Sequence, residues 1–495
     1  MFRSRYCVCV LCAVLAAAIA ALLLVQAPAV NAADKPVSFI NDVAPILKEN
    51  CYACHDAKKR SGKLEMTTYG KIRQGGTHED PIAPGDADES LLVQLIKAEG
   101  AKRMPPPPKE APMSKEGALP AAKVAVIEQW IKEGAKLDGG LTPESDMLRE
   151  LRARWQPPAP PARYPLPVMV NALAFTPDGK RLVVSGHHEL TVWDAAEGKL
   201  VQRVRTRAER AYAMEFLPDG TLVVAGGRPG QEGDIRAYDL NAPPAKTEDG
   251  VAYLDGVNDP KVIVKQLFDT DDSVLCLALS IDGKRLAAGG CDRAARVWDI
   301  SGGVRDAKLE QTIENHADWV LGVAFTPDAN KLLTAGRDKT AKVWDLEKKE
   351  SVYTFPDHQA AVFAVAAKPD GKSGFSAGAD KQIRVWNTSG EGRQVRTVGS
   401  HSDEIYRILS IPSQALLITA SADKTVRIWK EEGGAVRTLT GLNDQVYAVA
   451  VSPDGHRAAA GGWDGEVCVW NVTDSKPIKQ FNASPGYEPK ARASK

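Results

Sequence analysis

Five consecutive residues, Cys51-Tyr52-Ala53-Cys54-His55, have the types and spacing that attach a haem covalently. Two thiols three positions apart can add to the two vinyl groups of one porphyrin, and the imidazole that follows then lies under the iron as its proximal ligand. Other chemistries also use neighbouring cysteines. A zinc site needs a fourth ligand and usually a second Cys or His pair, yet the next cysteine is Cys276. A thioredoxin-like pair wants a βαβ setting, whereas the flanks here are Pro-rich and helical in pattern. A disulfide closing over two residues is compatible with the spacing and stands as the alternative.

A closed haem needs a sixth iron ligand, and the candidates downstream of the motif are Met66, His78, Met104 and Met113. Met104 stands in Lys102-Arg103-Met104-Pro105-Pro106-Pro107-Pro108, where prolines fix an extended backbone with no N–H groups to satisfy. Such a loop can hold a thioether at a chosen distance, and a His/Met pair raises the potential of a c-type haem. Methionine on a small domain otherwise fills gaps in the core, a reading that suits Met66 and Met113 better.

The elements that must position these groups are two helices. Phe39, Val43, Ile46 and Leu47 recur at helical spacing just before Cys51, with Asp42 as a plausible N-cap. Near the other end, Val124, Ile127, Trp130 and Ile131 mark a helix over 122–135 that stops at Gly134. Lys58, Lys59, Arg60 and Lys63 follow the motif, and Lys102 with Arg103 precede Met104. These clusters could steer an acidic redox partner to the haem edge; the plain alternative is a solvated, unselective face.

Taken in order, Val43-Ala44-Pro45-Ile46-Leu47, the 51–55 motif, Pro84-Gly85-Asp86-Ala87-Asp88-Glu89-Ser90-Leu91-Leu92, Arg103-Met104-Pro105-Pro106 and Trp130-Ile131-Lys132-Glu133-Gly134-Ala135 resemble the planctomycete-type cytochrome c domain family. The resemblance implies one haem c held by Cys51 and Cys54, with His55 and Met104 as axial ligands, and leaves the electron partner open.

The second half of the chain repeats. Trp193-Asp194, Tyr238-Asp239, Trp298-Asp299, Trp344-Asp345, Trp386-Asn387, Trp429-Lys430 and Trp470-Asn471 each end a short β-like run, at intervals of 45, 60, 46, 42, 43 and 41 residues. That period marks a propeller with four strands per blade, and turns such as Pro177-Asp178-Gly179 and Pro453-Asp454-Gly455 suit the hairpins between first and second strands. The units resemble WD repeats. The resemblance implies buried polar networks of His316, Asp338 and Trp344, of His358, Asp380 and Trp386, and of His401, Asp423 and Trp429, with structural rather than metal-binding histidines. The long interval holds an insertion near 242–265, expected as a protruding loop or extra hairpin that could touch a partner or the cytochrome domain. No strand exchange is evident, so packing of the first and last blades should close the ring, unless residues 164–169 add a strand.

At 495 residues the chain should hold two or three domains. Lys plus Arg and Asp plus Glu both number 63, so bulk attraction for nucleic acid or anionic membrane is not expected. Arg3 and Arg5 precede an apolar run over 6–25, and Val30-Asn31-Ala32 fits signal peptidase, predicting a signal peptide over 1–32 and export to the periplasm. The run is also long enough to span a bilayer, so an uncleaved inner-membrane anchor is the rival. Cys7, Cys9 and Cys12 lie within it. Among Cys276, Cys291 and Cys468 no disulfide pair can be chosen.

The expected architecture is a small all-α mono-haem cytochrome c domain over 35–140, a helical and Pro-rich linker over 141–168, an all-β seven-bladed WD-repeat propeller over 169–482 and a disordered tail over 483–495. Nucleotide loops, nucleophile elbows and zinc-protease helices are missing from the sequence. The expectation is therefore an exported electron carrier rather than an enzyme, with the propeller as a platform for another protein. The alternative is an interaction scaffold whose haem is structural or senses a gas.

Overall fold

The computed structural model describes residues 35–488, apart from 109, 112, 390–393 and 412–413, so the expected signal segment lies outside the described residues. The chain divides into two units after Trp155.

The helical unit begins at Ser38, whose hydroxyl accepts the Asn41 N–H at 3.0 Å while the Asp42 carboxylate accepts the Ser38 N–H at 2.8 Å. Ser38, not Asp42, is thus the cap. A π-helical turn, Phe39–Val43, runs into α1 (Ala44–Asn50), with Pro45 in its first turn, where a missing N–H costs nothing. There follow α2 (Tyr52–His55), α3 (Tyr69–Gln74), α4 (Leu91–Lys97), α5 (Ala121–Lys132) and α6 (Met147–Arg154). Trp130 of α5 is fully buried between Phe39, 5.3 Å away between ring centroids, and Tyr69, 6.4 Å away. Its indole donates to the Lys136 carbonyl at 2.9 Å, and the Tyr69 hydroxyl donates to that of Ala135 at 2.7 Å. These bonds pin the chain where Gly134, at φ +96°, lets it leave the helix.

The helix expected in the linker is α6, and it belongs to this core: Met147 is buried with Phe39, Ile46 and Ile131, and Leu151 packs against them. Its apolar face needs a surface to cover, and the haem-motif helices supply it.

The second unit is a ring of seven sheets, antiparallel but for one pair, whose inner strands are Leu173–Phe175, Arg210–Phe216, Val274–Leu279, Val320–Phe325, Val362–Ala367, Ile405–Ser410 and Val446–Val451. Each blade is four strands in sequence order, except where the insertion intervenes. The insertion does not stand out alone. Its hairpin, Lys246–Glu248 and Val251–Asp255, returns to blade 1, where Val251–Asp255 pairs in parallel with Leu200–Arg205 and widens the sheet to six strands.

The Pro-rich stretch after Trp155 is likewise not a free spacer. Arg203, 4% exposed, donates to the carbonyls of Pro161 at 2.8 Å and Ala162 at 3.4 Å, and Arg205 donates to Pro157. Proline lacks an N–H but keeps its carbonyl, so a Pro-rich strand can still be held by donors from one side.

This strap also closes the ring. Residues 164–169 add no strand; instead the Tyr164 N–H meets Pro485 O at 3.0 Å, the Val168 N–H meets Ser484 Oγ at 2.8 Å and the Val170 N–H meets Gly462 O at 3.1 Å. Residues 483–488, expected to be disordered, are therefore packed here, with Ala483 and Ser484 buried. The rest of the tail lies outside the described residues.

Candidate functional site

Helix α1 delivers the motif: the Cys51 N–H closes onto Leu47 O at 2.8 Å, and the N–H groups of Cys54 and His55 both return to Cys51 O at 3.1 Å. This one turn sets both sulfurs and the imidazole on a cavity of about 530 Å³ lined also by Leu64, Leu92, Leu95, Ile96, Met104 and Pro105. Its size is in the range of small-molecule and cofactor sites, and its wall is chiefly apolar.

Both cysteines are free thiols, so the disulfide alternative is not formed. Burial, with the Cys54 sulfur adding to it, pushes the Cys51 thiol up to about 11, so it rests as a thiol at neutral pH. The described residues hold no group of three or more His, Cys, Asp or Glu side chains able to take a metal ion between them.

His55 Nδ1 lies 3.3 Å from Leu64 O. A carbonyl only accepts, so this bond places the proton on Nδ1 and leaves the Nε2 lone pair free to ligate.

Of the four sixth-ligand candidates, Met66, His78 and Met104 line the cavity and Met113 does not. Met66 is buried in the core, as expected, whereas Met113 is 74% exposed and fills no gap. Met104 is 39% exposed, and its N–H is bonded to Leu95 O of α4 at 3.0 Å. The Met104–Pro105 peptide is cis.

Arg103 departs from its expected role. It is 5% exposed, and its guanidinium donates to the carbonyls of Pro105 at 3.2 Å, Ser114 at 2.7 Å and Glu116 at 2.5 Å. It clamps the Met104 loop instead of facing a partner, because a Pro-rich loop leaves carbonyls that only an outside donor can satisfy. Lys58, Lys59, Arg60, Lys63 and Lys102 are exposed as expected. Arg103→Ala should cost the loop about 2 kcal/mol and speed exchange of the Met104 N–H by roughly 30-fold, with Arg103→Lys in between. Unchanged exchange would remove the clamp from the account.

The propeller's histidines sit in structural networks. Nδ1 of His316, His358 and His401 lies 2.9 Å from Asp338, Asp380 and Asp423 respectively. Each Nε2 meets a hydroxyl, Thr334 at 2.7 Å, Ser376 at 2.6 Å and Thr419 at 2.7 Å, which in turn accepts the indole N–H of Trp344, Trp386 or Trp429. Those hydroxyls went unread in the sequence, although each stands four residues before its Asp. Cys276 and Cys468 are buried free thiols and Cys291 is free and half-buried, so no disulfide links them.

Comparison with known proteins agrees with both halves. Residues 51–108 match the Planctomycete cytochrome C family. Residues 166–194, 262–299, 307–345, 349–387, 392–430 and 433–471 match the WD domain, G-beta repeat. The first three strands of blade 2, over 210–238, escape that match; the third ends in Tyr238, and the insertion separates it from the outer strand, Ile263–Thr270. Similar proteins include Protein groucho of Drosophila melanogaster, 26% identical over 137 residues, 27% of this chain and 16% of that protein. U3 small nucleolar RNA-associated protein 12 of Saccharomyces cerevisiae is 27% identical over 133 residues, 26% of this chain and 12% of that one. Target of rapamycin complex subunit LST8 of Bos taurus is 28% identical over 120 residues, 24% of this chain and 31% of that one. The matched stretch thus spans less than a third of each relative's length.

Proposed function

Because this chain joins a planctomycete cytochrome c domain to a ring of WD repeats, we propose that it is an exported mono-haem c-type cytochrome that carries single electrons and uses its propeller as a platform for another protein. The observation that carries the reading is the convergence of Cys51, Cys54, His55 and Met104 on one apolar cavity. In this reading the chain is a carrier rather than a catalyst, and its periplasmic location rests on residues 1–32.

The bound haem would supply a one-electron ferrous/ferric couple. Cys51 and Cys54 would hold it by thioether bonds, each S–H adding across one vinyl group so that sulfur takes one carbon and the hydrogen the other. His55 would present Nε2, with its proton kept on Nδ1 by Leu64. Met104 would offer its thioether from a loop tied to α4 and braced by Arg103. Leu92, Leu95 and Ile96 exclude water from the cavity wall, which limits reorganisation when charge changes. The exposed lysines around the motif favour an acidic redox partner.

The test is the visible spectrum of the exported protein, oxidised and reduced, with Met104→Ala beside it. A low-spin spectrum with a methionine-to-iron charge-transfer band is expected, lost in the variant. The potential should fall by on the order of 0.1 V, within the roughly 0.8 V span that axial ligands command. A high-spin wild type that binds carbon monoxide would favour the scaffold with a sensing haem. A band that survives Met104→Ala would pass the ligand role to Met66 or His78, which line the same cavity.

A further inference from the structure

On one rim of the propeller every regular blade uses the same backbone bond, from the residue after its second strand to the residue before its first: Cys291 to Ser273 in blade 3, Arg337 to Trp319 in blade 4, Ala379 to Ala361 in blade 5, Ala422 to Glu404 in blade 6 and Trp463 to Gln445 in blade 7. Blade 7 therefore carries an indole, 54% exposed, where blades 5 and 6 carry alanine. Trp463 ends a run of rings that crosses three blades. Phe363 and Tyr406 are 5.5 Å apart between centroids, Tyr406 and Tyr447 are stacked at 4.6 Å, and Tyr447 and Trp463 are 6.1 Å apart.

Carboxylates border the same rings. Gln445 Oε1 accepts the Tyr447 hydroxyl at 2.7 Å and the Tyr406 hydroxyl at 3.4 Å, and Asp444 accepts the Gln445 N–H at 2.8 Å. Asp464, next to Trp463, accepts the Glu466 N–H at 3.2 Å, and the Glu404 charge acts on the Tyr406 hydroxyl. Burial, with Glu466 and Asp444 beside it, pushes the Asp464 carboxyl up. None of Glu404, Asp444 and Asp464 has an ion pair among the described residues.

The protein itself shows what fills such a set. In blade 4 the Arg337 guanidinium lies 4.1 Å over the Trp319 ring and pairs with Asp318 at 2.7 Å. In blade 3 Arg296 pairs with Asp292 at 2.7 Å and lies 4.3 Å over Phe268. Blade 7 offers ring and carboxylates without the cation, and a guanidinium gains from both the ring face and the bidentate acid.

We propose that the arc of Tyr406, Tyr447 and Trp463, with Glu404, Asp444 and Asp464, receives an arginine side chain from an extended segment of a partner protein. The inference deepens, and rests on, the reading of the propeller as an interaction platform.

Titration of the full haem-bearing chain with a short Gly–Ser peptide bearing arginines, and with the same peptide bearing citrulline, tests it. The arginine peptide should bind at least about tenfold more tightly. Trp463→Ala and Asp444→Asn should each weaken it by about three- to tenfold, while Asp403→Asn, whose carboxylate is already paired with Lys381 at 3.2 Å, should not. Equal binding of the two peptides, or equal sensitivity to Asp403→Asn, would overturn the site. Photo-crosslinking from position 379 in the host cell separates the two failures: adducts there without arginine binding would overturn this site alone, and adducts at neither 379 nor 463 would overturn the platform.

Discussion

Chains carrying Cys51→Ala together with Cys54→Ala are expected to lose all haem on denaturing gels, while either single variant keeps one thioether bond. The effect should extend beyond colour. The cavity between the motif, α4 and the Met104 loop is about 530 Å³, and unfilled apolar volume costs on the order of 20 cal/mol per Å³. Even half of that volume left empty would cost about 5 kcal/mol, the low end of the total stability of a typical domain, about 5–15 kcal/mol. The helical unit of the double variant should therefore lose its protection against hydrogen exchange in α1, α2 and α4, with the strands of the propeller unaffected. Haem that survives denaturation in the double variant would defeat the attachment assigned here, and a fully protected helical unit without haem would show that the core around Trp130 suffices.

Arg203→Met should be the most damaging change in the propeller. Arg203 grips Glu189 through two bonds of 2.7 and 2.8 Å, and Glu189, 1% exposed, also accepts the Tyr164 hydroxyl at 2.6 Å. Removing the guanidinium strands a buried carboxylate, a loss of about 3–5 kcal/mol, and frees the carbonyls of Pro161 and Ala162 from their donor. Adding Glu189→Gln removes the stranded charge while keeping an acceptor for Tyr164, so the double variant should recover part of the loss. Urea unfolding followed by the strand signal in circular dichroism measures both. A cost below about 1 kcal/mol for Arg203→Met would mean that the strap is not held by this pair.

The sequence made the blades legible because each ends in an aromatic residue at a near-constant interval, a period that only a repeated four-stranded unit produces. Blade 2 was readable from Tyr238 even though it lacks the histidine. The motif was legible for a similar reason: residues 51–55 are adjacent in sequence, and one helical turn is enough to bring them together. What escaped reading depends on long-range partners. Arg103 reads as one more surface cation beside Lys102, and only the fold shows three carbonyls converging on it. Residues 156–168 have the composition of a linker whether free or docked, because a Pro-rich strand needs its partners to come from elsewhere, here Arg203 and Arg205. The apolar face of α6 was visible, but not that its cover is the haem-motif core.

The strap that enters blade 1 gives the ring a mechanical property. Tension arriving along the backbone at residue 156 meets the Arg205 bond to Pro157 and the Arg203 grip on Pro161, then the backbone bond from Tyr164 to Pro485 and that from Val170 to Gly462, before it reaches the inner strand of blade 1. Load is thus shared with blade 7 across the seam, and pulling on the tether draws on the clasp before it can peel a blade.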